Sequence, residues 1–242
     1  MTRTILTYTD FGSSGPYLGQ LEAAVKRESA AATVIHLQSD APACDPQAAG
    51  YLLAALANQF DEAVFLCVVD PGVGGERRPL VAESQGQWFV GPDNGLFAPL
   101  YLQRGGMQLY HILQQPRGGS QTFHGRDLFA SVAAKITKKQ YIAMESVSQL
   151  GKGMGWSKDL SRIIYADHYG NLFTGLRGGQ LLRTARIHMA GSEINWAPRF
   201  DAVPRGEAFW YVNSCGLVEI AVNGGRAERL FPDCRNEMIK IV

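Results

Sequence analysis

The apolar run AVFLCVV, at residues 63–69, is the feature that most constrains the fold of this chain. A strand this uniformly apolar is typical of a parallel sheet whose two faces are both covered. Residues 4–9 and 32–37 are also predicted strands. Each is followed by apolar residues at helical spacing, within residues 17–25 and 46–60. Strand, helix, strand, helix and strand in this order predict an α/β fold with right-handed crossovers.

The pattern changes after about residue 150. Before that point we predict further strands at 80–83, 88–91 and 108–113, and an amphipathic helix at 127–136. A Gly-, Lys- and Ser-rich stretch follows, and we interpret residues 151–161 as a linker. The remaining sequence predicts only short strands, at 162–166, 171–174, 183–189, 208–212, 217–222 and 238–242. We therefore predict an α/β domain with a central, mostly parallel sheet at residues 1–150, and a smaller all-β domain at 162–242.

Charge and hydropathy exclude several classes of function. The 242 residues include 23 Lys and Arg against 22 Asp and Glu, which leaves a net charge of +1. Nucleic-acid-binding proteins normally carry a basic patch, so we expect no nucleic-acid partner. No apolar run approaches the ~20 residues that a membrane helix needs, and the first residues do not resemble a signal peptide. We expect a cytoplasmic protein that makes no membrane contact.

The sequence also lacks the usual signatures of metal and nucleophile chemistry. Its four cysteines are Cys44, Cys67, Cys215 and Cys234, which are far apart and form no C-x-x-C pair. The histidines have no metal-ligand spacing, and neither a phosphate-binding loop nor a G-x-S-x-G motif is present. We therefore expect no disulfide framework, no metal and no serine nucleophile.

Three loops at predicted strand ends and helix starts carry candidate functional groups. Asp10 ends the first strand, where a carboxylate can bind a ribose diol or can cap the next helix. Asp70 ends the apolar strand in a glycine-rich loop, and Arg77 can return to pair with it, for function or as a structural ion pair. His124 lies just before a predicted helix, where its side chain can either face a site or cap the helix. Ligands gather at this edge of an α/β sheet.

Two polar turns of the second domain are further candidates. The first, DHYGN, offers the carboxylate of Asp167, the ring of Tyr169 and the amide of Asn171, a set that suits an adenine or an amino-acid group. The second, NSCG, contains Ser214. Both are equally compatible with ordinary hairpin turns.

Several motifs occur in one order along the chain: TDFG, YLG, VVDPGVGGERR, FVGPDNG, TFHGRDLFA, DHYGNLFT and NSCGLVEIAVNGGRA. From about residue 7 to residue 227 the chain resembles the S-adenosyl-L-methionine (SAM) hydroxide adenosyltransferases, the SAM hydrolases. Fluorinase and chlorinase are relatives that attack the same substrate with a halide.

This resemblance implies a barrel-like second domain, a catalytic first domain and a homotrimer. SAM would bind between the first domain of one subunit and the second domain of the next, as substrate and without a cofactor. The catalytic residues implied are Asp70, Arg77 and His124. The substrate-binding residues implied are Asp10, Asn94, Asp167, Tyr169, Asn171 and Ser214.

The reaction implied is in-line attack of water or hydroxide on ribose C5′, which yields adenosine and L-methionine. The sulfonium leaves as a neutral thioether, so no general acid is required. Asp70 or His124 takes the proton, and the sequence leaves this choice open. The alternatives are a halide-using enzyme and a SAM- or adenosine-binding module without turnover. The resemblance places an uncharged aromatic residue at the Asp70 position in the halide branch, so Asp70 favours water.

Overall fold

The computed structural model describes residues 3–116, 120–232, 234 and 237–242. It forms two compact units. The first comprises the chain up to Ala54 together with Phe60–Trp156, and the second comprises Ala55–Gln59 and Ser157–Val242.

A sheet of seven strands organises the described part of the first unit. Its strands are β1 (Ile5–Thr9), β2 (Val34–Gln38), β3 (Val64–Val68), β4 (Pro79–Ser84), β5 (Gln87–Pro92), β6 (Gln108–Ile112) and β7 (Met144–Val147). The α-helices are α1 (Tyr17–Glu28), α2 (Pro46–Ala57), α3 (Ala98–Arg104) and α4 (Ala130–Thr137), and a π-helix, Gly125–Phe129, directly precedes α4. The apolar run thus forms β3, in which every residue is buried, as its composition predicts.

The sheet is mixed, with the strand order β2-β1-β3-β5-β4-β6-β7. The ladders that join β2, β1, β3 and β5 are parallel, and the ladders that join β5, β4, β6 and β7 are antiparallel. The expectation of a mostly parallel sheet therefore describes one half of it. The change of direction begins at the tight turn between β4 and β5, where Gln85 and Gly86 have φ of 54° and 79°. A two-residue connection with positive φ values forms an antiparallel hairpin.

The second unit is built around another sheet of seven strands within the described residues. Its strands are β8 (Leu160–Ala166), β9 (Leu172–Arg177), β10 (Ile187–Met189), β11 (Ser192–Trp196), β12 (Ala208–Val212), β13 (Leu217–Val222) and β14 (Lys240–Ile241), and a short helix, α5 (Ala227–Leu230), follows β13. The order is β14-β10-β11-β12-β13-β9-β8. A bridge between Arg162 of β8 and Met238, just before β14, joins the two edges, so the sheet nearly closes into a barrel.

The segment that the composition marks as a linker is partly ordered by the first unit. The backbone N–H of Gly151 donates to both carboxylate oxygens of Asp93, at 2.9 and 3.0 Å. Asp93 is in turn held by Arg78. Across the described ranges, no helix is both long enough and apolar enough to span a membrane.

Candidate active site

Two aspartates lie at the same edge of the first sheet. Thr9 of β1 pairs with Val68 of β3, and the chain continues from these strands to Asp10 and Asp70. Burial raises the pKa of Asp10 above its ordinary value, and the charge of Asp70 adds to this effect. The backbone N–H of Cys44 donates to Oδ2 of Asp10 at 3.0 Å, and this hydrogen bond lowers the pKa of Asp10 in part. Parallel pairing thus brings two of the predicted loops together.

Arg77 holds the Asp70 carboxylate in a two-pronged ion pair. Its Nε donates to Oδ1 at 3.0 Å and to Oδ2 at 3.1 Å, and its Nη2 donates to Oδ2 at 2.6 Å. The Asp70 and Arg77 side chains are only 3% and 9% exposed. The guanidinium also lies 5.6 Å from the centre of the Phe129 ring. Such a pair fixes the orientation of both groups far better than an exposed ion pair does.

His124 completes this chain of contacts. Its Nδ1 lies 2.9 Å from Nη2 of Arg77. Because a guanidinium can only donate, Nδ1 accepts, and we assign the ring as neutral with its proton on Nε2. Burial and the charge of Arg77 lower the pKa of His124 below its ordinary value, against the opposing charges of Asp70 and Asp127. The imidazole is therefore held neutral by the same arginine that orients Asp70.

The π-helix that follows the histidine, Gly125–Phe129, connects this group to α1. Nε and Nη2 of Arg126 donate to the two carboxylate oxygens of Asp127, at 2.6 and 2.9 Å. Nη1 of Arg126 donates to Oε1 of Gln20 in α1 at 2.9 Å, and its guanidinium lies 5.0 Å from the centre of the Phe123 ring. Single π-turns are frequent at functional sites. Here the turn places Arg126 against the ring of Phe123, the residue just before His124.

A cavity of about 220 Å³ lies among these groups. Its wall includes Asp10, Asp70 and His124, and the rings of Phe11 and Phe123, whose centres are 5.6 Å apart. It therefore combines two carboxylates and an imidazole with an apolar wall. Its volume lies below the ~300–1,000 Å³ of typical ligand pockets, so it suits one part of a larger ligand.

Asn94 lies beside the Asp70 loop, and its side chain is engaged within the protein. Nδ2 donates to the backbone oxygen of Val69 at 2.9 Å, and Oδ1 accepts from the backbone N–H of Leu96 at 3.2 Å. The structure thus places Asn94 in contact with the residue before Asp70.

In the second unit, the turn between β8 and β9 is organised by Asp167. Its Oδ1 accepts from the backbone N–H of Asn171 at 2.8 Å, and its Oδ2 accepts from the Asn171 side-chain amide at 3.1 Å. Asn171 is buried, whereas Tyr169 is 73% exposed. The carboxylate and the amide are therefore fixed as a pair, and the tyrosine ring is free to contact a ligand.

The turn between β12 and β13 presents Ser214 at the surface. Oδ1 of Asn213 accepts from the backbone N–H groups of Cys215 and Leu217, at 3.1 and 3.0 Å. This asparagine turn fixes the backbone on both sides of the serine.

Family models match the chain in both units. The model described as the SAM hydroxide adenosyltransferase N-terminal domain matches residues 5–147, and that of the C-terminal domain matches residues 161–234. The chain belongs to the SAM hydroxide adenosyltransferase family. The resemblance drawn from the sequence motifs is thereby confirmed.

Named relatives align over most of the length of the chain. A protein of Thermus thermophilus named (R)-S-adenosyl-L-methionine hydrolase is 31% identical, over 93% of this chain and 94% of the relative. A Salinispora arenicola protein of the same name is 30% identical, over 96% and 95%. Among solved structures, an uncharacterised conserved protein from Thermotoga maritima superposes with a TM-score of 0.88, at 27% identity over 99% of this chain and all of that one.

The structure adds residues that the sequence motifs did not single out. Phe11 and Phe123 line the cavity, although each appears in a motif only as an apolar neighbour of a polar residue. Glu219 is buried in β13, where it is a single carboxylate within the apolar run LVEIAV. That isolated charge in a predicted buried strand is a signal that the sequence carries. No cluster of three His, Cys, Asp or Glu side chains suited to a metal ion occurs among the described residues.

Proposed function

We propose that the protein hydrolyses SAM to adenosine and L-methionine. The observation that carries this proposal is the continuous contact from Asp70 through Arg77 to His124 beside one cavity, in a chain of this family. The relatives named (R)-S-adenosyl-L-methionine hydrolase support the substrate class and extend the proposal to the (R) sulfonium form.

The reaction needs no general acid, because the leaving group is the neutral thioether of methionine. A water molecule attacks ribose C5′ in line with the C5′–S bond. The new C–O bond forms as the C5′–S bond breaks, both electrons of that bond stay on sulfur, and the water loses one proton. The protein must therefore orient the water and accept that proton. Orientation can supply roughly 7–11 kcal/mol in ideal systems, and a general base typically adds ~10²–10⁴-fold.

The hydrogen bonds favour Asp70 over His124 as the proton acceptor. In His124, Nδ1 is occupied by Arg77 and Nε2 carries the ring proton, so neither nitrogen has a free lone pair. Oδ1 of Asp70 accepts a single bond from Arg77 and keeps a free lone pair, whereas Oδ2 accepts two. We assign Asp70 as the group that orients and deprotonates the water, Arg77 as its anchor, and the Nε2 proton of His124 as a donor to the water oxygen.

The substrate-binding roles follow from the chemistry of the remaining groups. Asp10 accepts hydrogen bonds from the ribose diol, and Asn94 contacts the substrate beside the Asp70 loop, where its bonds to Val69 and Leu96 fix its side chain. Asp167 and Asn171 hold the methionine and adenine ends, Ser214 contacts the methionine end, and Tyr169 is a stacking ring. These groups are divided between the two units, and the small volume of the first-unit cavity agrees with a substrate held by more than one surface.

Water is favoured over halide by the charge at the attack position. A carboxylate repels a halide 4 Å away by about 4 kcal/mol at an effective dielectric constant of about 20. The Nε and Nη2 groups of Arg77 are already directed to Asp70 and His124, so they do not donate hydrogen bonds to a halide, and the guanidinium charge offsets only part of the repulsion. The site therefore suits a neutral nucleophile.

Product analysis tests this function directly. We expect purified protein to convert SAM to adenosine and L-methionine, and to do so equally with EDTA and in high chloride, because a sulfonium needs no Lewis acid to leave. Chromatography with mass spectrometry measures the nucleoside formed. 5′-Chloro-5′-deoxyadenosine as the main product would establish the halide alternative, and turnover lost on chelation and restored by a divalent ion would overturn the metal-free mechanism.

We propose a homotrimer in which each active site takes its catalytic group from one subunit and its Asp167–Asn171 pair from the next. Mixing inactive Asp70→Ala protein with inactive Asn171→Ala protein under subunit exchange is expected to restore part of the activity, since some mixed sites then contain neither substitution. Each variant incubated alone is the control. A fully active monomer in light scattering would contradict this arrangement.

The rate is expected to stay constant as the pH falls past about 6.5, the ordinary pKa of histidine, and to drop only at lower pH. The pKa of His124 is lowered, so the ring remains neutral into the mildly acidic range. Once protonated, Nδ1 carries a hydrogen that meets the Arg77 guanidinium, and the contact is lost.

The pH profile of kcat measures this effect, and His124→Asn is expected to remove the part of its acidic limb that protonation of His124 causes. Asp10, whose pKa is raised, is expected to affect KM instead, because it binds the ribose. An acidic limb in kcat at or above pH 6.5 in the wild-type protein would contradict the assigned state of His124.

A further inference from the structure

The mechanism above does not use Glu219, a buried acidic group that, unlike the buried Asp93 and Asp127, is not paired with an arginine among the described residues. Glu219 is 2% exposed in the middle of β13. It has no ion-pair partner within the described ranges. A buried carboxylate without a counter-charge is costly unless its oxygens accept hydrogen bonds. A carboxylate in an otherwise apolar, buried strand is unusual, so we looked for its role in its hydrogen bonds.

Both oxygens of Glu219 are used to hold neighbouring side chains. The Tyr211 hydroxyl, on the paired strand β12, donates to Oε1, and Nδ2 of Asn213 donates to Oε2 at 2.8 Å. Burial raises the pKa of Glu219, and the two donors counteract that effect. The carboxylate is thus the common acceptor for one group on β12 and one group at the start of the turn between β12 and β13.

The bond to Asn213 decides which way its amide faces. With Nδ2 held by Glu219, Oδ1 points to the backbone N–H groups of Cys215 and Leu217. A reversed amide would place its NH2 group against those two donors and lose all three bonds. Glu219 therefore fixes the conformation of the turn that carries Ser214, without reaching the surface itself.

We propose that Glu219 is a positioning residue for the amino-acid end of the substrate, acting through Asn213 on the turn that presents Ser214. The inference rests on the proposed function, in which Ser214 contacts the methionine end. Methionine and adenosine are the two products and occupy opposite ends of the site. A defect in this turn should therefore weaken the binding of methionine and spare that of adenosine.

Two substitutions of similar size separate positioning from packing. Glu219→Leu fills the space and removes both acceptors, which leaves Nδ2 of Asn213 and the Tyr211 hydroxyl unsatisfied. Glu219→Gln keeps an acceptor for Asn213, and its NH2 group can donate to the Tyr211 oxygen once that hydroxyl rotates. The glutamine variant should therefore restore the turn that the leucine variant loses.

The experiment measures steady-state hydrolysis of SAM, with L-methionine and adenosine as product inhibitors. For Glu219→Leu we expect KM and the inhibition constant of methionine to rise at least ~10-fold, with kcat and the inhibition constant of adenosine changed less than ~3-fold. Glu219→Gln is expected to recover most of the methionine affinity. If the leucine variant does not fold, Asn213→Ala tests the same link and should give the same selective loss.

Three results would overturn the proposal. One is methionine inhibition of Glu219→Leu, or of Asn213→Ala, at the wild-type level. Another is an equal loss of methionine and adenosine binding, which indicates a general structural role. The third is failure of Glu219→Gln to recover more than Glu219→Leu. In each case wild-type turnover in the same assay leaves the proposed function standing, whereas wild-type protein that releases no adenosine from SAM overturns both.

Discussion

Replacing Asp70 with asparagine is expected to lower kcat by about 10³-fold while the protein still binds SAM. Asparagine keeps the size of the side chain but removes the charge and the basicity that the attacking water requires. It also leaves Arg77, which is 9% exposed, without its ionic partner. The substrate keeps its ribose and amino-acid contacts, so we expect KM or the Kd for SAM to change far less than kcat.

Glu76→Gln is the matched control for this prediction. Glu76 is an exposed carboxylate in the same loop, so its neutralisation changes the loop charge equally and leaves the cavity intact. Rates are compared in single-turnover assays, and binding is compared by calorimetry. Near-normal turnover by Asp70→Asn, or an equal loss by Glu76→Gln, would remove Asp70 from the proton-accepting role.

Local sequence patterns predicted the parts of this structure that local chemistry decides. The apolar run that forms β3 is buried because no polar side chain interrupts it. Asp70 is the first polar residue after this run, so it lies at the end of the strand. Parallel pairing of β1 and β3 then brings Asp10 beside it. These steps need only periodicity and the handedness of crossovers.

Other parts depend on tertiary contacts that the sequence does not display. β7 is a four-residue strand at the edge of the first sheet, and β11 is a five-residue strand of mixed composition. Neither segment is long enough to show a clear alternation of apolar and polar residues. The bond between Arg77 and His124 joins residues 47 positions apart and depends on the close approach of two loops. The antiparallel pairing of β4 with β5 likewise follows from one hairpin turn and not from the strands themselves.

The approach of those two loops depends on Gly74. Its φ is +80°, and a Cβ atom at this position would lie 2.4 Å from the backbone oxygen of Gln121. Gly74 stands in the loop between Asp70 and Arg77, and Gln121 stands three residues before His124. The lack of a side chain therefore allows the two halves of the catalytic group to meet.

Gly74→Ala is accordingly expected to lower kcat by about 10²-fold, because a displacement of about 1 Å in a positioned catalytic group costs that much. The added methyl group must push the two loops apart, and the left-handed backbone adds about 1 kcal/mol of strain. Gly72→Ala is the control, since a Cβ there meets nothing within 4 Å. A second measurement reports the same displacement: with Arg77 moved away, the lowered pKa of His124 should rise towards its ordinary value, and the acidic limb of the rate profile should move to higher pH. If Gly74→Ala retained wild-type kcat and an unmoved pH profile, contact between the two loops would not be what aligns Arg77 with His124.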